Sequence, residues 1–149
     1  MRAVIQRVTE ASVSVDGKVV GRIGPGMVVL LGVGEDDSEK EVSYVAEKIS
    51  GLRIFEDSSG RMNLSIEDTG GEILAISQFT LYGDTRKGRR PSYVRAAGGD
   101  SARRFYELFI AKLTERGIQV ETGVFGAHMD VHMVNCGPVT LLVDSSKDF

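Results

Sequence analysis

The 149-residue chain has one cysteine, no tryptophan, two histidines and three prolines, and each scarcity removes a class of explanation. Cys136 alone cannot close an intrachain bridge, which excludes a disulfide scaffold and suits a reducing compartment. His128 and His132 do not by themselves make a zinc site, since a catalytic zinc usually has three protein ligands and no Cys or acidic residue completes a recognisable spacing. They read as surface or partly buried histidines, and neither metal nor cofactor is expected. The shortage of bases also weakens a Ser-His-Asp hydrolase, for which no Gly-x-Ser-x-Gly elbow exists. Long apolar runs are missing too. No stretch approaches the ~20 apolar residues that span a bilayer, and Arg2, Gln6 and Arg7 interrupt residues 1–8, so no leader or membrane partner is expected and the cytoplasm is the expected location. A net charge of −3 gives no whole-protein attraction for nucleic acid, so a polyanion site must be a local patch. By length the chain is one domain, residues 1–149, able to bury about 68–70% of its unfolded surface without staples.

Short β-branched segments at 4–8, 13–15, 19–23 and 27–33 are separated by Asp16-Gly17 and Gly24-Pro25-Gly26, which predicts an N-terminal β-meander. Residues 27–31 are continuously apolar and predict a strand covered on both faces. Ser38 with Glu41 forms a capping box before a stripe of Val42, Val45, Ala46 and Ile49, and Gly51 stands where that helix should stop. Residues 52–55 and 72–78 read as strands, and 56–60 and 68–71 as turns. A second helix fits 102–116, with Asp100 or Ser101 as N-cap, Phe105, Leu108, Phe109 and Leu113 as its stripe and Gly117 as its end. The expected architecture is α+β: a curved, largely antiparallel, barrel-like sheet of roughly eight or nine strands with two main helices packed outside.

Three features stand out as candidate chemistry. Gly137-Pro138 lies between two apolar runs, 131–134 and 139–143, where a proline cannot donate to a sheet ladder; locally it reads as a tight turn, a bulge or an exposed edge. Arg86, Lys87, Arg89 and Arg90 gather four positive charges in a Gly- and Pro-punctuated loop, either a solvated loop or a phosphate-attracting patch. Directly before it, Ser77-Gln78-Phe79-Thr80-Leu81-Tyr82 ends a strand in polar groups beside an aromatic. Cys136 carries no sequence signature of activation and reads better as a small apolar filler than as a nucleophile.

Ser77-Gln78-Phe79-Thr80-Leu81 together with Asn135-Cys136-Gly137-Pro138-Val139-Thr140 closely resembles the two signature motifs of the D-aminoacyl-tRNA deacylases. Residues 2–8, 53–55, 62–64, 88–92 and 122–127 also resemble that family, so the likeness runs the whole chain; Cys136 departs from it, at a position often acidic there. The resemblance implies a homodimer that hydrolyses the ester joining a D-amino acid to the 3′ end of tRNA, and that also accepts glycyl-tRNA. It implies catalytic roles for Ser77, Gln78, Phe79 and Thr80, with backbone N–H groups near Phe79 and Thr80 binding the oxyanion and the substrate's 2′-hydroxyl helping to activate water. It further implies a cis Gly137-Pro138 acting as a chirality filter in the partner subunit's site, support of that segment by Arg7, and tRNA phosphates held by Arg86, Lys87, Arg89 and Arg90.

The selectivity has a physical basis. Once ammonium and carbonyl are held, L- and D-aminoacyl esters differ only in where the side chain points, so a rigid wall on the L side rejects by clash while tolerating many D side chains and glycine. Thr80 could act as nucleophile, water-positioner or structural group; lacking a sequence-evident base beside it, positioning is favoured. Two alternatives remain open: a sister deacylase that clears mischarged L-alanyl-tRNA, against which Phe79 argues, and a non-catalytic nucleic-acid-binding module using the cationic loop.

Overall fold

Apolar alternation carries β1 from Arg2 to Val15 in a single strand, joining the two N-terminal segments that read as separate. Its phase slips at the exposed Thr9 and Glu10: Ala3 and Ile5 enter one core, whereas Val8, Ala11 and Val13 enter another. The bend gives the strand two partners along one edge. Its first half pairs antiparallel with β3 (Gly26–Gly32) and its second half with β2 (Lys18–Ile23), so the expected meander is replaced by order β2-β1-β3. The other edge pairs with β8 (Asp130–Asp144) along nearly its full length.

The computed structural model describes residues 1–148. After β3 come α1 (Glu39–Ser50), a small β4–β5 ribbon (Phe55–Glu56, Met62–Leu64), α2 (Ile66–Thr69), β6 (Glu72–Ser77), α3 (Gly99–Glu115) and β7 (Gln119–Thr122). The expected strand over 52–55 shrinks to β4, and residues 66–69, partly read as turn, form a one-turn helix with its own capping box from Ser65 and Asp68. The sheet is largely antiparallel as expected, through the pairings of β1 with β2, β3 and β8, but it carries a parallel portion. β6 pairs parallel with β3 and β7, because α1 and α3 serve as the crossovers that parallel neighbours require. Gly21 brings β2 so near β7 that a Cβ would lie 2.5 Å from the Thr122 carbonyl oxygen, and this close approach helps to curl the sheet into a nearly closed barrel.

Two cores result. Inside the barrel pack Val8, Val13, Val28, Leu74 and Ile76; between sheet and helices pack Ile5, Val29, Leu31, Ile73, Val45, Ile49, Phe109 and Leu113. β3 and β6 are thus buried on both faces, as the continuous apolar run predicts for β3. The capping box at Ser38 forms as read, with the Glu41 carboxylate accepting the Ser38 N–H at 2.9 Å. α3 begins earlier than expected: Gly98 is its N-cap, with no side-chain cap bond, and neither Asp100 nor Ser101 serves. No helix among the described residues is long and apolar enough to cross a membrane.

Candidate active site

Because β3, β6 and β7 run parallel, their carboxyl ends meet at one end of the sheet, where such folds commonly leave a crevice. A cleft of about 450 Å³ opens there. Val33 follows β3, Ser77 ends β6, and the segment after β7 supplies Phe125, Ala127, His128 and Met129. Gly99 and Ala102 bring the first turn of the 17-residue α3 to the same cleft, with the positive end of its dipole.

β6 hands over to a 3₁₀ turn at Phe79–Tyr82. The Gln78 N–H still reaches the Leu31 carbonyl at 2.7 Å, which fixes the start of the turn to β3. The first N–H groups of a helical turn have no acceptor within it, and Phe79 and Thr80 hold those positions. Gln78 Nε2 donates to Thr80 Oγ1 at 2.5 Å, so the threonine hydroxyl proton is left to point elsewhere. Phe79 is 54% exposed and edge-on to Tyr93, ring centroids 5.1 Å apart. Below the site the buried Tyr106 hydroxyl donates to the Ala75 carbonyl at 2.8 Å and its ring leans on Phe125; burial pushes its pKa well above the ordinary phenol value. Tyr106 therefore ties α3, β6 and the Phe125 wall together.

Gly137 and Pro138 do not line this cleft. Of the local readings, turn, bulge or exposed edge, the bulge is the one that forms: β8 runs unbroken through Gly137-Pro138 opposite Arg7, and the bond is cis, as the resemblance implies. Val131 lines the cleft, and Pro138 lies seven residues further along the strand, roughly 20 Å away at about 3.3 Å per residue. Gly137 and Pro138 are both exposed. Arg7, only 7% exposed, donates from Nη1 to the Ile54 carbonyl at 2.7 Å and from Nε to the Cys136 carbonyl at 3.3 Å, with Glu56 3.5 Å from Nη2. Gly137 has φ +114°, and a Cβ there would come within 2.7 Å of Arg7 Nη2.

The cationic loop is closed at its base by paired backbone bonds between Asp84 and Ser92. Lys87, Arg89 and Arg90 are exposed and line no cleft with Ser77, while Arg86 borders a second, charged cleft of about 530 Å³ with Arg2, Arg95 and Asp148. Arg86 grips Asp84 through Nε and Nη2 at 2.9 and 2.6 Å, and this guanidinium holds the Asp84 carboxyl well below the usual carboxylate range. His128 and His132 lie in separate clefts, and among the described residues no three His, Cys, Asp or Glu side chains gather as a metal-binding group. Sequence reasoning missed the start of α3 and Phe125, Ala127 and Met129, and weighed His128 only as a metal ligand or a hydrolase base; the similarity of residues 122–127 to family text was the available signal.

A model of the D-Tyr-tRNA(Tyr) deacylase family matches residues 4–144. Among curated proteins, D-aminoacyl-tRNA deacylases of Thermotoga petrophila and Bacillus velezensis are 58% identical over 149 residues and 57% over 147, covering 100% and 99% of this chain and all of theirs. Among solved structures, a c-Myc DNA unwinding element binding protein superposes with TM-score 0.91 at 42% identity over 97% of this chain and 98% of its own. A probable eukaryotic D-amino acid tRNA deacylase, at 19% identity and TM-score 0.80 over 95% of this chain and 97% of its own, shares the fold. With a family match from β1 to the end of β8 and full-length relatives well above half identical, this chain belongs to the D-Tyr-tRNA(Tyr) deacylase family.

Proposed function

We propose that this protein is a cytoplasmic D-aminoacyl-tRNA deacylase, a single domain acting as a homodimer, that hydrolyses D-aminoacyl-tRNA and glycyl-tRNA and rejects L-aminoacyl-tRNA. The observation that carries the reading is the cleft at the carboxyl ends of β3, β6 and β7, where Ser77, Gln78 and Phe79, the first residue of the 3₁₀ turn, stand together in a chain of this family. Water attacks the ester carbonyl carbon, the negative charge that develops on its oxygen is received by the Phe79 and Thr80 N–H groups, and collapse expels the ribose oxygen, which takes up a proton. Free amino acid and tRNA result. Removing one such donor from a comparable oxyanion site costs ~10²–10³ in rate. Thr80, its oxygen already engaged by Gln78, donates its proton to orient water or substrate rather than attacking.

Gly137 and Pro138 serve the other subunit as the wall that rejects L side chains. Support comes from their exposure, their roughly 20 Å separation from their own cleft along β8, and the exposed Val134 and Leu142 flanking them, apolar surface suited to burial between two copies. Arg7 supports the wall from behind, and Arg86, Lys87, Arg89 and Arg90 hold tRNA phosphates. The decisive experiment compares hydrolysis of D-Tyr-tRNA, L-Tyr-tRNA, glycyl-tRNA and L-Ala-tRNA by the purified protein. Preference for D-tyrosyl and glycyl esters is expected, and faster release of L-alanine would overturn the reading. The 42%-identical structural neighbour, a c-Myc DNA unwinding element binding protein, favours a second reading, a DNA-binding module; it requires salt-sensitive binding of DNA and no release of amino acid.

A further inference from the structure

We infer that Asn135 is a positioning residue that closes the neck of the Gly137-Pro138 bulge and so sets where the proposed chirality wall stands; the inference rests on that proposed role for the bulge. The pairing register defines the bulge. Gln6 of β1 faces Thr140 and Val8 faces Asn135, so Cys136, Gly137, Pro138 and Val139 all stand opposite Arg7 alone. Such an insertion disrupts the ladder and leaves main-chain groups without strand partners. The Arg7 carbonyl, which a regular ladder would satisfy from β8, faces the gap, and Pro138 has no N–H to offer.

The half-buried Asn135 side chain fills that gap. Its Nδ2 donates to the Arg7 carbonyl at 3.0 Å and to the Val139 carbonyl at 3.1 Å, which uses both amide hydrogens. One bond crosses to β1 and the other spans the bulge from its first flank to its last residue, so the four-residue excursion has a fixed base. Arg7 grips the same bulge elsewhere, through the Cys136 carbonyl. With Asn135 holding the base and Arg7 the Cys136 carbonyl, Gly137 and Pro138 extend outward as a short arch whose main-chain carbonyls cannot wander. Among the described residues no other side-chain amide bonds to the bulge, and a carboxylate of the same shape would place an oxygen against two carbonyl oxygens.

The test is Asn135→Asp, read as the ratio of kcat/KM for D-Tyr-tRNA over L-Tyr-tRNA alongside the melting temperature, with Gly137→Ala as control. A lost bond with its partners left unsatisfied is worth about 1–3 kcal/mol, or roughly 5–150-fold, so the ratio should fall at least about fivefold in Asn135→Asp. Gly137→Ala should lower it as well. If only Gly137→Ala lowers the ratio, Asn135 does not position the wall, and a lower melting temperature with an unchanged ratio says the same. If neither variant alters the ratio, the bulge is not the filter and the reading it rests on falls. Should Asn135→Asp not fold, Asn135→Ser is measured in its place. In the unaltered protein, Asn135 Nδ2 hydrogens that exchange as fast as those of the exposed Asn63 overturn the inference.

Discussion

Replacing Arg7 by methionine tests how the buried guanidinium holds the bulge. Methionine keeps most of the volume, so the change isolates the polar contacts. The 2.7 Å bond to the Ile54 carbonyl is buried and charge-assisted, and its loss leaves that carbonyl unsatisfied, at about 1.5–3 kcal/mol. The 3.3 Å bond to the Cys136 carbonyl is longer and adds about 1 kcal/mol. The pairing with Glu56 counts for little: the contact is 3.5 Å and the glutamate side chain is 58% exposed, which places it at about 0–1 kcal/mol. Removing a buried charge offsets part of the loss, because its desolvation penalty disappears as well. The net is about 2–4 kcal/mol, and at about 2–4 °C per kcal/mol for a chain of this size the melting temperature falls by roughly 5–15 °C. Differential scanning calorimetry reads the temperature, and paired hydrolysis of D- and L-Tyr-tRNA reads the bulge. Selectivity should fall with stability in Arg7→Met and hold in Glu56→Ala. A shift below about 2 °C, or a Glu56→Ala effect as large as that of Arg7→Met, would refute this division of the energy among the three contacts.

Gly137→Ala introduces a side chain at φ +114° and 2.7 Å from Arg7 Nη2, and main chain held in a sparsely populated region costs about 1–3 kcal/mol; combined with Arg7→Met it should cost less than the sum of the two, and strict additivity in a thermal double-mutant cycle counts against the clash. Ser38→Ala removes one side of the α1 capping box and should lower stability by about 0.5–2 kcal/mol in urea unfolding, whereas a loss below a few tenths contradicts the cap's role. Asp84 is held ionised by Arg86, so its folded pKa lies below its unfolded value; its contribution is present above about pH 4 and is lost as pH falls through the lower folded value. NMR titration should show the Asp84 midpoint rising in Arg86→Ala, and an unmoved midpoint rejects the pairing.

What could be read from the sequence was decided by local chemistry. The α1 cap needs only Ser38, Glu41 and the residues between them, and the two-faced burial of β3 needs only its own continuous apolar run. The sheet order was not legible, because the two halves of β1 choose different partners according to a bend at Thr9 and Glu10 that only packing fixes. Locally, Gly137-Pro138 left a turn, a bulge and an exposed edge open for the same reason. A turn is the natural local reading, yet Arg7 and Asn135 hold the segment within β8 through contacts with residues far away in the chain. Ser77, Gln78 and Phe79 were found as a motif, whereas Gly99, Phe125 and His128 join them only through the parallel arrangement of β3, β6 and β7.

β6 is covered on both faces and flanked on both edges, so its amides should be among the last to exchange with solvent, opening only with the whole domain. The candidate catalytic turn is the direct continuation of that strand. Its backbone donors are therefore anchored to the most cooperative unit of the molecule, and heating should leave their alignment intact until global melting. Activity and fold would then vanish together over one narrow temperature interval, with no warm, folded but idle species between them.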